Sequence, residues 1–162
     1  MKRLILIRHA KSGWDDPLAD DHERTLTERG HKAADAIGAW LAQNGYLPDI
    51  ILSSDATRTQ QTLAAIHPHL PHATTKLEKL LYLPAPDTIL DLAQRRTEDC
   101  VAIISHNPGT GMLAQALVKN RPRHHRFSDY PTCATTVIDF QHAVGIGMGI
   151  CTDFIVPRDL TD

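Results

Sequence analysis

Three short apolar runs, each closing on a polar pair and each followed by a segment with helical spacing, limit the folds open to this chain more than any other feature. Leu4 to Ile7 is unbroken by a polar residue and partly β-branched, which predicts a strand buried on both faces. Asp49 to Ser53 predicts a second strand and Val101 to Ser105 the clearest one, with a weaker strand around Lys76 to Lys79. Between them, Ala33, Ile37, Trp40 and Leu41 recur at helical spacing. Thr25 and Glu28 stand in capping-box spacing, Thr27 is an alternative cap, and Gly45 is a suitable C-terminal stop. Asp55 is expected to cap a helix carrying Leu63 and Ile66 that ends at Pro68. Pro86 to Arg96 predicts a third helix, with Ile89, Leu92 and Ala93 on one face. Asn107-Pro108 then places a cap before a first-turn proline, opening a helix whose apolar stripe is Met112, Leu113, Ala116 and Leu117.

Ala134 to Phe140 and Ile150 to Val156 predict two late strands joined through Gly145 to Gly149, an antiparallel hairpin at the sheet edge. The expected class is α/β: a three-layer sandwich with a mostly parallel central sheet and helices on both faces. No repeat or linker divides the chain, so residues 1–162 read as a single domain.

Composition narrows the partners. Lys and Arg total 17 against 19 Asp and Glu, a net charge of -2, which gives no whole-molecule attraction for nucleic acid or an anionic membrane. Phosphate binding would therefore need a local cluster of cations. The three cysteines, Cys100, Cys133 and Cys151, are odd in number and form no C-x-x-C pair, so reduced thiols in a cytoplasmic protein are expected. The first apolar run stops at Arg8, short of the ~7–15 residues of a signal-peptide core. No segment approaches the ~18 apolar residues of a membrane span.

In parallel α/β sheets, ligands collect at the carboxyl ends of the strands. The first strand ends in Arg8-His9, the second in Ser53-Ser54 with Arg58 one helical turn on, and the Val101 strand in Ser105-His106. Two arginines and two histidines thus converge on one rim, beside helix N-termini with free N–H groups. Arginine offers a planar fork that matches two phosphate oxygens. A histidine between such cations is held as the neutral, nucleophilic imidazole. A second histidine can donate to an equatorial oxygen as negative charge spreads in the transition state. A covalent phosphoryl-histidine, later cleaved by water to inorganic phosphate, would follow.

Four ordered motifs, Arg8-His9-Ala10-Lys11-Ser12, Leu26-Thr27-Glu28-Arg29-Gly30, Ser53 to Thr62, and Ser105-His106-Asn107-Pro108-Gly109, resemble the histidine phosphatase superfamily. More narrowly they resemble its small SixA-type phosphohistidine phosphatases. The resemblance implies a phosphoglycerate mutase-like fold and catalysis without a metal or other cofactor. It implies His9 as phosphoryl acceptor and Arg8, Arg58 and His106 as catalytic and phosphate-binding groups, with Ser12 and Asn107 as further substrate contacts.

Two departures matter. Ala10 stands where the family usually has glycine, and alanine resists positive φ. Many relatives also carry a carboxylic general acid after the third strand, where this chain has Leu80-Leu81-Tyr82-Leu83-Pro84. A proton donor is worth roughly 10²–10⁴-fold for a poor leaving group, whereas an imidazole leaves readily once its ring is protonated. The expected substrate is therefore phosphohistidine in a protein, with Asp15, Asp16 or Asp87 as candidate acids from loops. The chain also lacks a sizeable insertion that could form a lid over a small molecule. A small-molecule phosphomonoesterase and a silent phosphate-binding module fit the same residues.

The remaining polar clusters read more simply. Pro68 and Pro71 break any ligand face among His67, His69 and His72. Arg121, Arg123, His124, His125 and Arg126 form a basic loop that could steer an acidic partner. Cys133 is expected in the core, and Gly145 to Gly149 lacks the following helix of a dinucleotide loop.

Overall fold

The computed structural model describes residues 2–161. Its centre is one six-stranded sheet of β1 (Lys2–Arg8), β2 (Ile50–Ser53), β3 (Thr74–Leu77), β4 (Cys100–Ser105), β5 (Thr135–Phe140) and β6 (Ile150–Ile155), in the order β3-β2-β4-β1-β5-β6. β3, β2, β4 and β1 pair in parallel, β5 runs antiparallel to β1, and β6 returns antiparallel along β5 at the edge. The late strands thus form the expected edge hairpin. The helices are α1 (Glu28–Gln43), α2 (Thr57–Ile66), α3 (Pro86–Gln94) and α4 (Gly109–Leu117).

Alternation along β1 builds both cores. Leu4 and Leu6 pack with Ile89 and Ala93 of α3 and with Leu113 and Leu117 of α4. Ile5 and Ile7 face the other way, onto Ala34, Ile37 and Leu41 of α1 and Ile66 of α2. Successive strand side chains point to opposite faces, so an unbroken apolar run demands cover on both, and the helices supply it. All four residues are at most 1% exposed, so trimming any of them to alanine costs about 2–5 kcal/mol.

Several local expectations shift. Thr27, not Thr25, caps α1, with its hydroxyl accepting from Gly30 N–H at 3.0 Å. Asp55 does not cap α2: Ala56 holds that position without a side-chain bond, and the Asp55 carboxylate turns 2.9 Å to His22 Nε2. α4 begins one residue late, at Gly109, while Asn107 Oδ1 still accepts from Gly111 N–H at 3.1 Å. The weak strand falls earlier than expected, at Thr74–Leu77, because it pairs in register with β2. His67 bonds the Ala73 carbonyl and His69 bonds Asp35, each a local tie. Among the described residues, no helix is long and apolar enough to cross a membrane.

Candidate active site

β1, β2 and β4 carry their carboxyl ends to one rim, and their helices leave to different faces of the sheet. α1 and α2 cover one face while α4, from the strand between β1 and β2, covers the other. Such switch points open a crevice at the strand ends. His9 follows β1 directly. Its N–H donates to the Ser105 carbonyl of β4 at 3.0 Å, and its carbonyl accepts from Cys133 N–H at 2.9 Å. Ala10 N–H donates to Thr62 Oγ1 at 3.0 Å, and that hydroxyl donates to the Arg58 carbonyl at 2.8 Å. Ala10 is fully buried and absent from the residues with positive φ, so the departure from glycine leaves an ordinary backbone.

A cavity of about 460 Å³ opens here, lined by Arg8, His9, Ser12, Arg58, His106 and Asn107. All six residues expected to act on or bind phosphate therefore meet in one place. His9 Nδ1 lies 2.7 Å from its neighbour's Ala10 carbonyl. A carbonyl can only accept, so Nδ1 carries the proton and Nε2 keeps the lone pair. Burial first, then the Arg58 and Arg8 cations, push the His9 pKa down to about 4. The ring is neutral at pH 7. Like charge was the expected cause; burial is the larger one.

His106 sits with its ring centroid 5.3 Å from that of His9. Arg58 Nη2 is 3.2 Å from His106 Nδ1, and His106 Nε2 is 2.8 Å from Ser54 Oγ. Arginine can only donate, so Nδ1 accepts and Nε2–H donates to the serine. Burial lowers the His106 pKa to about 3. The expected donor to a phosphate oxygen is thus, in the free protein, an acceptor engaged by Arg58.

Arg58 is 2% exposed at the start of α2. Its Nη1 donates to the Asp21 carbonyl at 2.7 Å and its Nη2 to Asp21 Oδ2 at 3.0 Å. Arg8 Nη1 donates to the Tyr130 carbonyl at 3.1 Å, which also accepts from Asn107 Nδ2 at 2.9 Å. The Nε atoms of Arg8 and Arg58 are buried without a partner among the described residues. Both guanidiniums line the cavity, and two such cationic donors side by side suit an incoming oxyanion. The three described non-glycine residues with positive φ, Leu83, Tyr130 and Cys133, all surround this cavity. Leu83 lines it, Tyr130 holds Arg8 and Asn107, and Cys133 holds the His9 carbonyl. Such conformations cost roughly 1–3 kcal/mol each and cluster where surrounding structure enforces a site.

The wall contains residues for which the sequence carried little signal: Lys11, Asp21, Arg24, Leu83 and Thr132. Asp21 and Arg24 arrive because the chain after His9 doubles back, with Ser12 bridged to Leu26 and Gly13 N–H donating to the Thr25 carbonyl. Arg24 then donates to Ser12 Oγ at 2.8 Å and to Asp21 Oδ1 at 3.1 Å. The Asp-x-x-Arg spacing of a helical turn was the available clue. Tyr82 OH donates to Asp21 Oδ2 at 2.5 Å. That bond, with help from Arg58 and Arg24, holds the Asp21 pKa down to about 2. Asp15, Asp16 and Asp87 are exposed and absent from the lining; Asp16 instead accepts from Leu18 N–H.

A neutral histidine on a parallel strand end, between arginines and opposite a second histidine, is an arrangement able to receive a phosphoryl group. The family model described as the histidine phosphatase superfamily, branch 1, matches residues 4–81, and the chain belongs to that superfamily. A structure from Agrobacterium tumefaciens, proposed to be the phosphohistidine phosphatase SixA, is 28% identical with a TM-score of 0.81, covering 96% of this chain and 98% of that one. An uncharacterised protein of Mycobacterium tuberculosis is 37% identical over 113 residues, 68% of this chain and 69% of that protein. An uncharacterised chloroplastic protein of Arabidopsis thaliana is 49% identical over 65 residues, 40% of this chain. That match spans only 30% of the plant protein's length. These likenesses support an enzyme of the phosphatase or mutase type with a phosphorylated substrate.

Proposed function

We propose that the chain is a phosphatase that carries the phosphoryl group on His9 Nε2 and acts on phosphohistidine in a protein of the cytoplasm. The observation that carries this reading is the tautomer of His9: a neutral ring, with its lone pair on Nε2, set between Arg8 and Arg58. The Nε2 lone pair forms the N–P bond as the bond from phosphorus to the leaving imidazole breaks, and that imidazole keeps the electron pair. Water then attacks phosphorus, the P–Nε2 pair returns to His9, and inorganic phosphate departs carrying one proton of the water as P–OH, the other being released to a phosphate oxygen or solvent. Arg8 and Arg58 supply the positive charge that phosphoryl transfer needs, without a metal. His106 can take a proton from solvent on Nδ1 when the phosphate dianion arrives to offset the imidazolium charge, and then donate to an equatorial oxygen as Arg58 turns to the phosphate.

The substrate follows from the proton inventory. The carboxylate in the wall is Asp21, and at about 2 its pKa leaves it ionised, a poor donor to a departing alkoxide. A protonated imidazole needs no such donor. The test offers one phosphorylated histidine-containing transfer domain, p-nitrophenyl phosphate and a set of sugar phosphates to the same enzyme. The expected result is a kcat/KM for the phosphohistidine domain at least about 10²-fold above the sugar phosphates. The reverse preference would overturn the substrate; no turnover of any of them would favour a binding module.

A further inference from the structure

Beside the active site lies a basic trough. A cavity of about 200 Å³ shares Lys11 and Thr132 with the active-site wall and continues past Arg29, Arg126 and Arg158. A second, of about 390 Å³, shares Arg29, Ala33, Pro157 and Arg158 with the first and adds Lys32. Through these shared residues the two cavities lie side by side, leading away from the active-site wall between α1 and the 3₁₀ turn Pro157–Leu160. Five cations line them, and among the described residues no Asp or Glu does.

Nearby carboxylates leave part of that charge free. Glu28 pairs with Lys32 at 3.5 Å, Asp129 with Arg126 at 3.1 Å, and Asp159 with His124 at 2.8 Å. Lys11, Arg29 and Arg158 are exposed and enter no ion pair among the described residues. In a chain of net charge -2, such a one-sign channel is a local feature and not a by-product of composition. The active-site mouth adds apolar contact: Leu83, 54% exposed, lines the cavity, and Trp14, 65% exposed, stacks 3.8 Å from the guanidinium of Arg24. An extended channel with exposed apolar groups at its head fits a polypeptide better than a compact anion.

We propose that the Lys11, Arg29, Arg126 and Arg158 trough docks an acidic segment of the phosphorylated protein, chain-adjacent to the residue presented to His9. The proposal rests on the phosphohistidine reading for its partner, and its test separates the two. Two synthetic phosphohistidine peptides of equal length, one flanked by Asp and Glu and one by Ser and Gly, are compared with p-nitrophenyl phosphate. Wild type and an Arg29→Glu/Arg158→Glu variant are used. Wild type should favour the acidic peptide by about tenfold in kcat/KM, through KM, and added salt should erase the preference. The variant should lose it while keeping p-nitrophenyl phosphate turnover, which also shows that it is folded.

Equal kcat/KM for both peptides in wild type, or a preference that survives in the variant, would overturn the trough. So would loss of p-nitrophenyl phosphate turnover by a variant with a native circular dichroism spectrum, because these arginines would then belong to the phosphate site. Binding of the unphosphorylated acidic peptide, read by fluorescence anisotropy, judges the trough separately. Salt-sensitive binding lost in the variant supports it even if neither phosphopeptide is hydrolysed, in which case only the substrate reading falls. If neither phosphopeptide is hydrolysed, absence of such binding rejects it.

Discussion

Arg58 is 2% exposed and bonded to Asp21 and His106, whereas Arg158 stands in solvent on a surface turn without an ion pair among the described residues. The buried arginine acts where water is scarce, so its charge is worth several times what it would be at the surface. In the free protein its bonds to Asp21 and His106 hold it in place. The exposed arginines of the trough act through a screened field that reaches about 8–10 Å at ordinary salt. One set should govern the chemical step for every substrate, the other only the encounter with a charged macromolecule.

The sharpest way to break that comparison is to remove His9, the proposed nucleophile that both sets would serve. His9→Ala should lower kcat at least about 10³-fold on phosphopeptide and p-nitrophenyl phosphate alike. A smaller loss would assign the nucleophile elsewhere. Arg58→Ala should cost about 10²–10³-fold in kcat, again on both substrates. If it affected only the peptide, the buried and exposed arginines would not differ in kind.

Asp21→Asn makes a finer cut. Its carboxylate competes with phosphate for Arg58, so the variant should be inhibited by inorganic phosphate at about tenfold lower concentration. Unchanged inhibition with a fall in kcat for alkyl phosphates would instead make Asp21 the proton donor.

Acid should act on activity and stability together. His9 and His106 have pKa values lowered from 6.5 to about 4 and about 3. Between 6.5 and those values the unfolded chain binds more protons than the folded one, so stability rises with pH across that window and is lost as pH falls through it. Above 6.5 neither residue contributes further. Thermal unfolding should therefore show the Tm falling below pH 6.5, and His106→Gln should flatten the slope. In the free enzyme, kcat/KM should fall as pH drops toward 4, where His9 takes a proton.

Some of this was legible in the chain itself. The run Leu4 to Ile7 demanded cover on both faces, and the structure provides it, so Arg8 and His9 fall at a strand end as expected. Ser54, Arg58 and His106 follow from the same strand–helix alternation. Asp21 and Arg24 did not, because the stretch from Lys11 to Arg24 has no hydrophobic period to locate it. Its position depends on the Ser12–Leu26 pairing, a long-range event. Asp55 misled for a related reason: a local cap competes with a tertiary partner, and His22 offered one. The neutral state of His106 was also out of reach, since it depends on burial by segments distant in sequence.

The Thr62 hydroxyl sits between Ala10 N–H and the Arg58 carbonyl, accepting from one and donating to the other. The backbone behind the attacking ring and the backbone that bears the guanidinium therefore share a single strut. Thr62 and Arg58 both belong to α2, so this hydroxyl ties the chain just past His9 to the helix that carries the guanidinium. Thr62→Val, close in shape but unable to make either bond, would loosen that tie and let the distance between His9 Nε2 and the Arg58 guanidinium drift.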